Sequence, residues 1–130
     1  MILADTSVWI DHFADRETPQ TGVLARVLAQ GDGIVGDLIL GEVLQGTRFD
    51  REFRETRSIL LGFPVVAIVD THIAIQAAAN YRLLRQRGIT VRGTIDALIA
   101  TWCIENDAWL LHDDRDFDHF EEHLGLKVVH

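Results

Sequence analysis

The chain has 130 residues, 48% of them hydrophobic and 25% charged, which is the make-up of an ordinary soluble globular protein and the length of one domain, here residues 1–130. A formal net charge of −8 excludes a broadly basic nucleic-acid surface, the single cysteine, Cys103, excludes an internal disulfide, and no run reaches the roughly 18 apolar residues of a membrane span. "MILADTSVW" carries no charged leader ahead of its apolar residues, so the expected location is the cytoplasm.

In chain order, "MILA" predicts a short strand closed by Asp5, and a helix follows over about 7–14. "TGVLARVLAQGDG" carries apolar residues at 23, 24, 27 and 28, a helical stripe that closes at Gly31 and Gly33. "GIV" is a minimal strand, and "DLILGEVLQGTR" is helical with Asp37 placed to cap it. A helix over 50–61 ends at Gly62, after which Pro64 introduces the strand "VVAIV". Asp70 or Thr71 starts the long helix 72–87, which stops at Gly88. "TIDALIATWCIEND" is a further helix with Thr94 at its start, and "AWLLH" and "LKVV" are the last strands, with a short acidic helix between them. Strands alternating with helices predict an α/β fold, a three-layer α/β/α domain on a mostly parallel sheet.

Ligands in such sheets bind beyond the carboxyl ends of the strands. Asp5 ends the first strand, and Asp113, Asp114 and Asp116 follow a later one in "LLHDDRDFDHF", so acids from separate strands share one edge. Helix capping accounts for a lone aspartate after a strand, but Thr6 and Ser7 could cap equally well. Asp96 lies in the first turn of its helix on a face shared with Ile99, Ala100 and Cys103. The helix dipole favours an acid there, yet an unpaired charge on an apolar stripe is costly. Glu42 stands between Leu38 and Ile39 on the flank of another stripe, where it could also reach water.

Two unit charges 4 Å apart repel by about 4 kcal/mol at an effective dielectric near 20. The sole lysine, Lys127, lies in the last strand, so a hard divalent cation is the expected counter-charge, and Mg²⁺ and Mn²⁺ prefer oxygen donors. Such a centre suits phosphoryl chemistry, in which the ion activates water and stabilises charge on the scissile phosphate.

"LADTSVWI", "GEV", "TIDALIA" and "LLHDDRDFDHF", in this order and over nearly the whole chain, resemble the PIN domain, and more narrowly the VapC toxins of type II toxin–antitoxin pairs. The resemblance implies a five-stranded parallel sheet between helices and a metal-dependent endoribonuclease that leaves 5′-phosphate and 3′-hydroxyl ends. It implies that Asp5, Glu42, Asp96 and Asp114 hold Mg²⁺ or Mn²⁺, with Asp116 as a fifth acid acting directly or through water. Asp114 is preferred over Asp113 because it aligns with the D-x-D-F pattern. Thr6 or Ser7 would help position the first aspartate. A VapB-type antitoxin, an RNA substrate and a homodimer are the implied partners.

Eleven of the twelve basic residues are arginine, in the sets 48, 51, 54, 57 and 82, 85, 87, 92. Under the resemblance the second set would grip RNA phosphates, Arg92 foremost, whereas solvated helix faces are the plain alternative. Trp9, Trp102 and Trp109 lie in apolar runs and read as core or interface anchors, and His119 and His123 lack further ligands for zinc. Two rivals remain: a non-catalytic PIN-like binding module, and a phosphohydrolase or receiver-type domain. The latter lacks a second aspartate two residues after Asp5, where Ser7 stands, and a convincing lysine.

Overall fold

Three apolar residues, Ile2–Ala4, form the central strand β1 in the computed structural model, which describes residues 1–130. The remaining strands are β2 (Gly33–Gly36), β3 (Val65–Val66), β4 (Trp109–Leu111) and β5 (Lys127–Val128). They form one sheet in the order β3-β2-β1-β4-β5, and every pairing is parallel. Leu3 pairs with Ile34 on one side and Leu110 on the other, so the middle of the sheet is apolar on both faces.

Seven helices cover it: α1 (Thr6–Phe13), α2 (Pro19–Gln30), α3 (Asp37–Gln45), α4 (Asp50–Leu60), α5 (Thr71–Gln86), α6 (Thr94–Glu105) and α7 (Asp116–Leu124). The main helix packing falls into two sets, α1 with α2 and α3 and α3 with α4, then α5 with α6 and α7. This is the three-layer arrangement the alternation predicts. Leu3, Val35, Ile39, Ile99, Leu110, Phe117 and Phe120 are wholly buried in one core. Trp9 and Trp102 belong to that core, but Trp109 is 43% exposed, with the Lys127 ammonium 5.4 Å from its ring centre.

Several boundaries differ from the sequence expectation for identifiable reasons. α2 begins at Pro19 because Thr18 and Thr21 bond reciprocally as a capping box, and it ends at Gly31, whose φ of 75° suits a residue without Cβ. Asp37 is the first residue of α3, and Gly36 is its cap. The Asp37 carboxylate instead accepts the backbone N–H groups of Leu38 and Ile68, at 2.8 and 3.0 Å. That second bond draws the chain away from the ladder, so the strand expected over 65–69 pairs only at Val65 and Val66. Asp70, not Thr71, caps α5 by accepting the Ile73 N–H at 2.8 Å. Gly93 precedes α6 as its cap, with Thr94 the first helical residue.

Candidate functional site

The carboxyl edge of the central strands collects the acids. The Asp5 N–H donates to the Leu111 carbonyl at 2.9 Å, which continues the β1–β4 ladder one residue past β1 and fixes Asp5 beside the chain leaving β4. Asp96 arrives on the first turn of α6, Glu42 from the second turn of α3, and Asp114 and Asp116 from the turn that starts α7. One oxygen from each of Asp96, Asp114 and Asp116 lies within 4.8 Å of the other two. Asp5 and Glu42 stand outside that three-oxygen group but close to it: the Glu42 charge raises Asp96, and Asp96 and Asp114 raise Asp5.

The electrostatics record the crowding. Burial, then the charges of Asp96, Glu42 and Asp114, push the Asp5 carboxyl up to about 7, although the Thr6 N–H bond opposes them. Asp96 rises to about 6, by burial first and then by the charges of Asp114, Asp116 and Glu42, with Arg92 opposing. Cys103 packs within reach of the Asp5 charge, and burial with that charge pushes its thiol up to about 12, so it is an inert packing residue.

Glu42, Asp114 and Asp116 each have a partner of their own. The Thr6 hydroxyl donates to Glu42 Oε1 at 2.8 Å. The Asp116 N–H donates to Asp114 Oδ1 at 2.9 Å, so Asp114 caps the start of α7 while its carboxylate faces the group. Asp113, by contrast, is exposed and outside the group, which separates it from Asp114. Ser7 Oγ is buried with no partner in the protein. Gly93 lets the loop pass close to Asp96, since a Cβ there would lie 3.3 Å from its Oδ2.

Arg92 is already engaged. Its Nε and backbone N–H donate to Asp116 Oδ2 at 3.2 and 3.3 Å, and Nη2 lies 3.7 Å from Asp114 Oδ1. The side chain is 76% exposed and is the cation nearest the three-oxygen group. Arg82, Arg85 and Arg87 are exposed at the end of α5, where Arg87 donates to His123 Nδ1 at 3.0 Å. Arg51, Arg54 and Arg57 lie along α4 and Arg48 just before it, all exposed, with Arg51 paired to Glu55 at 2.8 Å.

His112 is the residue the sequence reasoning passed over. It directly follows β4, its side chain is only 7% exposed, and Nδ1 accepts the Asp114 N–H at 3.1 Å. Burial lowers its pKa, which favours the neutral ring. Its one sequence signal is position: the first residue after a buried strand and two before an acid of the cluster.

The donor set fits a hard divalent cation. Oxygens 2.0–2.1 Å from a Mg²⁺ ion lie at most about 4.2 Å apart, so a span of 4.8 Å closes on an ion with a small contraction.

A family model described as the PIN domain matches residues 2–122. The chain is 32% identical over 120 residues, 91% of its length and 90% of theirs, to VapC ribonuclease Mb1587 of Mycobacterium bovis and to Ribonuclease VapC11 of Mycobacterium tuberculosis. Among solved structures it superposes on VapBC2 from Rickettsia felis bound to a DNA fragment from their promoter. That match has a TM-score of 0.72 and 16% identity over 99% of this chain and 98% of the other. A toxin-antitoxin complex from Klebsiella pneumoniae matches with a TM-score of 0.67 and 21% identity over 100% and 97%. With an acidic edge built on this sheet order and a family match along nearly its whole length, the chain belongs to the PIN-domain family, among its VapC-type members.

Proposed function

We propose that residues 1–130 act as one nuclease domain, a metal-dependent endoribonuclease and the toxin of a VapBC-type pair, working in the cytoplasm. The observation that carries this is the convergence of Asp5, Glu42, Asp96, Asp114 and Asp116 on one sheet edge, with two of those carboxyls raised by burial and by one another. The ribonuclease names of the mycobacterial relatives support the substrate class. A binding module would have no use for such repulsion.

In this reading Asp5, Glu42, Asp96, Asp114 and Asp116 would hold Mg²⁺ or Mn²⁺, with the oxygens of Asp96, Asp114 and Asp116 already grouped. When bound, the ion supplies Lewis acidity toward the scissile phosphate and the attacking water. The protein's own groups fix the geometry. Thr6 orients Glu42, the Asp116 N–H orients Asp114, and Arg92 orients Asp116. Asp5, with its carboxyl at about 7, would be the acid whose proton a cation in the site displaces. The exposed face of Arg92 is free to meet an RNA phosphate at the rim, and Ser7 would support Asp5 from the same turn.

A VapB-type antitoxin is the proposed protein partner, beside a second copy of the chain. The toxin–antitoxin complexes among the structural neighbours support this. So does α4, which with its flanks leaves Phe49 72%, Ile59 49%, Leu61 45% and Phe53 41% exposed, an apolar surface that suits a protein cover.

The test is cleavage of a cellular RNA pool by antitoxin-free protein with Mg²⁺, Mn²⁺ or EDTA, alongside Asp96→Asn. Discrete cuts with 5′-phosphate ends that need metal and vanish in the variant are expected. Folded protein that cuts nothing under any condition would return the weight to a binding module.

A further inference from the structure

Beside the acidic group the surface opens into a cleft of about 680 Å³ that shares Arg92 and Asp114 with it. Val23 of α2 and Val129 after β5 form apolar walls, and His112 and Asp118 supply polar ones. Because His112 Nδ1 accepts the Asp114 N–H, the neutral ring carries its proton on Nε2. That Nε2 is buried and has no partner. The nearest carboxylate oxygen, Asp118 Oδ1, is 3.9 Å away, beyond hydrogen-bond length. Nε2 has almost no exposed surface, so a ligand reaches it when the 60% exposed Asp118 side chain turns aside, and it then gives an acceptor to a buried donor that otherwise lacks one.

The pair sets out a requirement. The ligand must accept from His112 Nε2–H and donate to Asp118 side by side. A phosphate only accepts, so it could bond His112 Nε2–H but not Asp118, and it would meet the carboxylates of Asp113, Asp114 and Asp118 in a cleft whose arginines are Arg92 and Arg115. A nucleobase is uncharged, flat enough for apolar walls, and carries adjacent acceptor and donor groups on its edge. We propose that this cleft is a nucleobase subsite, which receives a base next to the scissile phosphodiester and holds its edge between His112 and Asp118. The inference rests on the ribonuclease reading for the strand's direction into the acidic centre, but base binding is measurable without cleavage.

The test uses the full chain, ¹⁵N-labelled and in EDTA, titrated with each of the four ribonucleosides and separately with ribose 5-phosphate, while the His112 ring nitrogens are followed by NMR. Nucleosides should move the Nε2 signal and ribose 5-phosphate should not. Asp118→Ala, on an exposed position of α7, should weaken nucleoside binding about fivefold to tenfold. A ribose 5-phosphate response equal to the nucleosides' would make the cleft a phosphate site and overturn the proposal. Nucleosides that leave His112 unmoved, or Asp118→Ala that binds as well as the parent, would also overturn it. Failure to cleave RNA in a parallel assay would count against the nuclease reading alone.

Discussion

Replacing Asp5 by asparagine should stabilise the metal-free protein at neutral and alkaline pH. Asp5 is 7% exposed, and its carboxyl lies at about 7 against an ordinary 3.8. The folded state therefore binds a proton that the unfolded chain releases, so stability falls as pH rises from about 4 to about 7 and stays low above it. A shift of about 3 units corresponds to about 4 kcal/mol at 1.36 kcal/mol per unit, and relaxation around the charge brings the expected gain to about 2–3 kcal/mol. Asparagine keeps an oxygen to accept the Thr6 N–H and carries no charge toward Asp96, Glu42 or Asp114. In EDTA at pH 8 its melting temperature should exceed the parent's by on the order of 10 °C. The two should draw close near pH 4 and converge by about pH 3, where Asp5 is protonated in the folded parent and largely so in the unfolded one. With saturating Mg²⁺ the gap should narrow or reverse, since the ion stabilises only the form that binds it well. Equal melting temperatures at pH 8, with parallel curves from pH 4 to 8, would refute the view that Asp5 is a strained carboxylate.

Other perturbations separate holding the centre from neutralising it. Thr6→Val removes the hydroxyl on Glu42 Oε1 and should lower the RNA-cleavage rate about tenfold with little change in thermal unfolding, while Thr6→Ser restores most of it. Arg92→Ala removes the cation beside Asp114 and Asp116, so Mn²⁺ titrated by calorimetry should bind about three- to tenfold more tightly. Weaker Mn²⁺ binding would show that Arg92 acts chiefly by fixing Asp116. Gly93→Ala puts a methyl group 3.3 Å from Asp96 Oδ2 and should weaken Mn²⁺ binding severalfold in the same titration.

The sequence carries the acidic edge well because each acid sits at a position with a local signature. Asp5 ends a strand of apolar residues, and Asp96 interrupts a helical stripe that includes Ile99 and Cys103, both wholly buried. The choice among Asp113, Asp114 and Asp116 is less legible, because it depends on one turn in which Asp114 Oδ1 accepts the Asp116 N–H and Asp113 is left facing solvent. Arg92 is four residues from Asp96 in sequence, yet its bonds go to Asp116, 24 residues away, and no spacing rule reports such a pairing. The strand after Pro64 is overestimated for a similar reason. Its apolar run continues, but a side chain 31 residues earlier, Asp37, takes the Ile68 N–H that a longer ladder would need.

The positions of the acids on this edge are fixed, whereas their neutralisation is exchangeable. Asp5 is tied to the Leu111 carbonyl through its backbone, and the carboxylates of Glu42 and Asp114 accept the Thr6 hydroxyl and the first N–H of α7, so these three acids keep their places by short hydrogen bonds independent of any ion. The opposing charge comes from Arg92, whose side chain is 76% exposed and which leans on Asp116 from the rim. A buried cation would have settled the repulsion permanently and kept Asp5 ionised. An exposed one leaves Asp5 at about 7 and Asp96 at about 6, with repulsion that a divalent ion would relieve. Burial of acids at the end of a wholly buried apolar strand pair, Leu3 and Leu110, is thus the largest cause of the raised Asp5 carboxyl, and a cation at this edge would remove that cost.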